Sequence, residues 1–213
     1  MRNTAPAAVT RVPIRHARPR IALARLPIGA RASHGQSLVE FALVIPIFLT
    51  MLIALVEFAF VFNAVLATNF ASRDAALLAA EAGSDNGADC AVLKAVENDI
   101  GAPAHRTQIQ SVEIFEATPA GAQTGSATVY ARTGTYNCTL PDGTAVSLPY
   151  SRTANGYAMA NRCNILAGCG GQPLDHVGVR VTYRHTWRTP FGTTFGPFLD
   201  VMKSNSMRME PVL

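Results

Sequence analysis

The sequence predicts an α+β protein in which one long N-terminal transmembrane helix extends into a small antiparallel-sheet extracytoplasmic domain. Three patterns predict this fold: a long apolar run follows a basic leader, an Ala-rich helical pattern continues the run, and two-residue alternation appears only in the second half. The chain has 213 residues, which is enough for one modest domain beside a membrane segment.

Residues 1–35 are predicted to form a basic disordered leader. Residues 1–34 hold seven of the 18 Lys and Arg residues and no acidic residue, whereas the rest of the chain is mildly acidic. An Arg-rich arm could bind nucleic acid, but this one abuts an apolar run, where positive charge favours retention in the cytoplasm. We therefore predict a cytoplasmic N-terminus and no nucleic-acid partner.

Residues 36–83 are predicted to form a long helix that spans the membrane over about 38–62. Between Glu40 and Glu57 lie 16 uncharged residues, and about 20 apolar residues cross a bilayer. Pro46 is compatible with a membrane helix. A cleavable secretory signal is the alternative, but its apolar core would be only about 7–15 residues long. Glu57 is expected at the outer headgroup level.

The helix is expected to continue beyond the membrane and to end at Gly83. Residues 63–82 are Ala-rich and lack Gly and Pro, and Gly is a common residue directly after a helix. A second, short helix is predicted over 88–100, where Gly101 and Pro103 follow.

Residues 84–213 are predicted to form the extracytoplasmic α+β domain. Its clearest strand is 177–187, in which apolar and polar residues alternate. Residues 133–176 are rich in Gly, Asn, Pro and Thr and are predicted to be a long loop region. The predicted strands are, in order, 111–117, 127–132, 177–187 and 199–209.

The four cysteines all follow the apolar run, which predicts disulfides in an oxidising compartment. They are Cys90, Cys138, Cys163 and Cys169. Four cysteines allow three connectivities, of which we favour Cys90–Cys169 with Cys138–Cys163. Zinc binding is the alternative, but the chain has no Cys-x-x-Cys pair, so no metal site is predicted.

The chain carries no recognisable catalytic motif. It lacks a Gly-x-Ser-x-Gly turn, a His-x-x-x-His helix and a phosphate-binding loop with its Lys. His185 lies on the apolar face of its predicted strand, which favours a core histidine. We therefore predict that the protein is not an enzyme, with no catalytic residues and no cofactor.

Residues 35–44 read Gly-Gln-Ser-Leu-Val-Glu-Phe-Ala-Leu-Val, directly after the basic leader. This motif resembles the TadE-like family, which are pseudopilins of the Flp/Tad tight-adherence (type IVb) pilus assembly systems of bacteria. In such proteins a prepilin peptidase cuts after a glycine, and a glutamate stands five residues into the mature chain. The resemblance implies processing between Gly35 and Gln36, with Glu40 and Phe41 as the matching residues.

The resemblance also gives Glu40 a role. An acid in an apolar run implies a partner, and the family pairs this carboxylate with the new N-terminal amine of a neighbouring subunit. The alternative is that Glu40 only marks the membrane interface. Further similarities lie at Glu57-Phe58 and within 69–76, 177–187 and 206–210, whereas the middle of the chain, about 84–176, matches no motif.

The predicted function is that of a minor pseudopilin-like component of a Flp/Tad pilus or a related secretion assembly. Its predicted partners are the membrane, the prepilin peptidase, other pilins or pseudopilins, and pilus assembly proteins. It would be a single-pass cell-membrane protein that acts by helix packing. Two alternatives remain: an uncleaved envelope anchor that presents its domain to other partners, and a tethered enzyme or ligand-binding module with a polar pocket in 84–176.

Overall fold

The computed structural model describes residues 32–165, 173–190 and 192–211. The predicted leader over residues 1–31 and Cys169 lie outside the described residues. The helices are α1 (Ala32–Ala82) and α2 (Ala88–Asp99). The strands are β1 (Ile109–Ala117), β2 (Gln123–Ala131), β3 (Tyr136–Thr139), β4 (Ala145–Leu148), β5 (Ser151–Asn155), β6 (His176–His185) and β7 (Leu199–Arg208).

The chain divides into two compact units between Ile45 and Pro46. In the first unit, residues 35–44 are exposed on α1, and Ile45 is partly exposed. The helix begins at Ala32, so Gly35 lies inside it. The helix therefore begins four residues before the predicted start at residue 36, because a glycine permits a break but does not impose one.

In the second unit, α1 continues through Pro46 and changes character at Glu57. None of residues 46–56 is buried, whereas Glu57 is buried and small buried residues follow it. Ala64, Ala71 and Ala75 belong to the core together with residues of α2 and of the sheet. Small side chains let the helix approach its neighbours closely. The helix ends at Ala82, and the next residue, Gly83, has a φ of +52°, which favours glycine.

The larger sheet has five strands in the order β5-β2-β1-β6-β7, and every pair is antiparallel. The predicted alternation in the sixth strand is confirmed: Val177, Val179 and Val181 are buried. Val112 of β1 stands opposite Val181, so apolar residues meet across the strands. The α+β fold class is therefore confirmed.

The prediction of one long loop over 133–176 is wrong, because this region contains three short strands. β3 and β4 form a separate two-stranded sheet, and β5 joins the edge of the larger sheet beside β2. Most residues of these strands are exposed or only partly buried. Their sequences therefore lack the apolar alternation that marks a strand, and pairing with distant segments defines them instead.

Candidate functional site

The residues of the predicted processing motif lie on one exposed stretch of α1. Gln36 donates a side-chain hydrogen bond to the Glu40 carboxylate across one helical turn, at 3.1 Å. Phe41 is 65% exposed. Gly35 has open space around it, since a Cβ added there would meet no atom within 4 Å. The motif is therefore accessible, and among the described residues its glutamate contacts the side chain of Gln36.

Glu57, which we expected at the outer headgroup level, is buried in the second unit, where its carboxylate has protein partners. Its side chain accepts hydrogen bonds from the backbone N–H groups of Arg188 at 3.0 Å and Thr189 at 2.9 Å. His185 Nε2 lies 3.4 Å from the same carboxylate. A buried carboxylate needs such partners. Sequence reasoning missed this contact because its partners lie about 130 residues away.

Beyond Glu57, α1 presents large apolar side chains to solvent. Phe58, Phe62, Leu66 and Phe70 follow one another at four-residue spacing, which places them along one side of the helix. With Leu77 they are between 38% and 68% exposed. We call these five residues the outer stripe. It differs from the small buried residues of the same helix, and exposed apolar surface of this kind is typical of protein–protein or membrane contact sites.

The disulfide found among the described cysteines joins Cys90 of α2 to Cys138 of β3. The favoured pairing of Cys90 with Cys169 and of Cys138 with Cys163 is therefore wrong. Cys163 is also disulfide-bonded. The error arose because β3 was predicted as loop, so its proximity to α2 could not be foreseen.

A buried ion pair ties the region after β5 to α2. Arg162 contacts Asp89, and both side chains are almost fully buried. Tyr130 donates a hydrogen bond to the other oxygen of Asp89 at 2.6 Å. Burial, followed by the negative charge of Asp89, raises the pKa of Tyr130 well above its ordinary value. Such a network fixes the position of Arg162 relative to α2, because burying either charge without the other would be very unfavourable.

A second network joins the C-terminal half of α2 to the sheet. Glu97 accepts hydrogen bonds from Tyr150, at 2.6 Å, and from Arg132. Burial and the Glu97 carboxylate together raise the pKa of Tyr150. These contacts are structural, since they lie inside the domain.

One cleft in the described part of the domain has a volume of about 610 Å³ and is lined by both polar and apolar residues. It lies at the end of β6 opposite His185, and Glu116, Asp175, His176 and Arg208 are among its lining residues. Asp175 is already engaged, because it accepts hydrogen bonds from the Tyr157 hydroxyl and the Cys163 backbone. Within the described ranges, no three His, Cys, Asp or Glu side chains are placed to share a metal ion.

Together, these features define a class of protein: an α+β domain built on one helix that is long and apolar enough, by length and composition, to cross a membrane. This class points to membrane anchoring through the N-terminal segment. The model of the family described as TadE-like protein matches residues 35–77, so the resemblance predicted from Gly35 and Glu40 is confirmed, and the chain carries a TadE-like domain over most of α1.

A TadE-like domain indicates a component associated with the Tad pilus and with the membrane. The match ends within α1, so the sheet domain lies outside it. No curated protein and no solved structure matches the chain.

Proposed function

We propose that this chain is a minor pseudopilin-like component of a Flp/Tad type IVb pilus or a related secretion assembly. It acts through helix packing and protein contacts and performs no chemistry of its own. The observation that carries the proposal is the outer stripe of α1. A helix that only anchored a domain would need apolar residues in the membrane, but it would not need Leu66, Phe70 and Leu77 exposed beyond the predicted span.

The two sides of α1 in the second unit have different uses under this proposal. Ala64, Ala71 and Ala75 bind the helix to its own domain. The outer stripe is left for the helix of another subunit, and aromatic and Leu side chains at four-residue spacing suit interdigitation with a second helix. The stripe would therefore extend intersubunit packing beyond the bilayer.

Processing is the second part of the proposal. A prepilin peptidase would cut between Gly35 and Gln36 and leave a new amine one helical turn from Glu40. The exposed Glu40 carboxylate would then pair with the amine of a neighbouring subunit and set the register between helices. The Gln36–Glu40 hydrogen bond supports this proposal, since residue 36 and the Glu40 carboxylate lie on the same side of α1.

Processing is tested by intact mass and N-terminal sequencing of the membrane fraction, with and without the prepilin peptidase of the system. A mature start at Gln36 that requires the peptidase is the expected result. A start at Met1 in both samples contradicts processing and leaves the uncleaved envelope anchor as the function.

Packing through the outer stripe is tested by photo-crosslinking in cells. A benzoylphenylalanine at Phe62 should crosslink to another pilin or pseudopilin of the same system. The matched control places the same probe at Met202, which is 59% exposed on β7, and should give no such product. Identical products from both positions, or none from Phe62, contradict the proposed packing.

A further inference from the structure

The connection between β6 and β7 is fixed at the point where the exposed apolar part of α1 ends. In the second unit, residues 46–56 of α1 contain no buried residue, and Glu57 is the first one. Its carboxylate binds the backbone N–H groups of Arg188 and Thr189, directly after β6. If residues 46–56 lie in the bilayer, this connection lies at the membrane surface.

A second loop lies on the same side of the domain. Arg188 contacts the backbone carbonyl of Pro103 at 3.4 Å, and the backbone N–H of His105 donates to the Tyr183 hydroxyl at 3.1 Å. The loop 101–107 therefore lies beside the end of β6 that is next to Glu57 of α1. His105 and Arg106 are exposed in this loop.

The two segments on this side of the domain, 101–107 and 186–199, contain basic and aromatic residues and no acidic residue. The segment 186–199 contains Trp187, Arg188 and Phe198 and no acidic residue. The next acid, Asp200, is paired with Arg184 through two hydrogen bonds of 2.8 and 3.0 Å. Glu57 is buried and bound to backbone donors, so its charge is not presented to the surface.

Trp187 organises this connection. Its indole N–H donates to the Gly196 carbonyl at 2.7 Å, and its ring meets His185 edge to face. Gly192 allows this arrangement, because a Cβ there would lie 2.7 Å from the indole ring. The indole remains partly exposed, so it is fixed in place and still able to report on its surroundings.

We propose that Arg106, Trp187, Arg188 and Phe198 form a membrane-contact surface that binds the anionic headgroups of the leaflet from which α1 emerges. Tryptophan and phenylalanine suit the boundary between headgroups and acyl chains. Arginine binds lipid phosphate well because its guanidinium group is planar and always charged, and basic groups are attracted to anionic membranes. The surface would hold the domain against the bilayer in one orientation.

This proposal rests on the membrane anchoring that the proposed function also requires, and the two can be tested separately. Flotation of the reconstituted full chain with vesicles reports on anchoring. Trp187 is the one tryptophan of the chain, so its fluorescence reports on this surface without any added label. Quenching by lipids brominated near the headgroup measures its contact with the interface.

The experiment compares phosphatidylcholine vesicles with vesicles that also contain phosphatidylglycerol, at low salt. Trp187 should be quenched more strongly in the anionic vesicles, and added salt should reduce the difference. Arg188→Glu replaces an attraction by a repulsion and should remove roughly half or more of the quenching in anionic vesicles. Its side chain is exposed, while the Glu57 contact uses only its backbone.

The matched control is Arg208→Glu, an exposed arginine at the opposite end of the β6–β7 pair. It makes the same change in net charge and should leave the quenching unchanged. The proposal is overturned if the floated protein shows no Trp187 quenching, if neutral and anionic vesicles give the same quenching, or if both variants lower it equally. An unchanged emission maximum of each variant in detergent confirms that the connection has kept its fold.

Discussion

The Glu57 carboxylate accepts a hydrogen bond of 2.9 Å from the backbone N–H of Thr189. This contact joins the first half of α1 to a segment that comes more than 130 residues later. It provides a hydrogen-bond donor for the buried carboxylate on the helix. It also provides an acceptor for the Thr189 N–H group, which lies beyond the end of β6 and has no partner strand there. Glu57 therefore connects the helix to its own domain.

Replacing this carboxylate should weaken the domain. In Glu57→Gln the amide oxygen can accept one hydrogen bond, but the amide N–H group then faces a second backbone donor. We expect a loss of about 1–3 kcal/mol in the free energy of unfolding, measured by urea unfolding of the full chain in detergent. Glu40→Gln is the control, because its exposed carboxylate contacts Gln36 within the same helix, and it should leave stability unchanged. Equal stability of the two variants would contradict this role of Glu57.

Removing the buried arginine should have a larger effect. Arg162→Ala leaves Asp89 without its cation in a site where both side chains are almost fully buried. The expected loss is about 3–5 kcal/mol, measured by the same unfolding experiment. Arg152→Ala removes an exposed arginine of β5 and should change stability by no more than about 0.5 kcal/mol. A small effect of Arg162→Ala would mean that solvent replaces the lost partner.

Gly178 should tolerate no side chain, since a Cβ at this position would lie 2.3 Å from the Phe115 ring. Gly178→Ala is expected to destabilise the protein by about 1–3 kcal/mol through overpacking between β1 and β6. Gly101→Ala is the matched control, as a Cβ there meets nothing within 4 Å. Thermal unfolding followed by circular dichroism compares the two, and a midpoint for Gly178→Ala no lower than that for Gly101→Ala would be inconsistent with the packing described.

Stability should fall at alkaline pH because several tyrosines are buried as neutral acids. Burial raises the pKa of Tyr130 and Tyr150 above the ordinary value of about 10. The unfolded chain releases these protons near pH 10 while the folded protein retains them, so stability is fully present below pH 10 and declines above it. Each such tyrosine contributes a slope of up to about 1.4 kcal/mol per pH unit.

Urea unfolding at several pH values between 8 and 11.5 measures this slope. Tyr150→Phe removes one ionisable group. It should therefore make the decline of stability with pH shallower by up to about 1.4 kcal/mol per pH unit. Tyrosinate absorbance of the folded protein should also lag behind that of the unfolded chain. A slope that Tyr150→Phe leaves unchanged would assign the alkaline decline to other groups.

Local sequence patterns were sufficient to predict the features that are formed by consecutive residues. The apolar run, the Ala-rich stretch and Gly83 predicted α1 and its end, and strict alternation predicted β6. Residues 35–41 also identified the TadE-like resemblance, because a motif consists of neighbouring residues. These features depend on backbone preferences and on the period of apolar residues, both of which can be read over a few turns or a few residues.

Long-range contacts were not accessible in this way. The pairing of Cys90 with Cys138, the short strands β3 to β5 and the burial of Glu57 against Arg188 and Thr189 each depend on which distant segments meet. The outer stripe also needed the fold, since apolar residues occur on more than one side of α1 and the position of the sheet decides which of them remain exposed. The period of apolar residues predicts which face of an element is apolar. Which residues become buried, and against which partners, depends on how distant segments of the chain pack together.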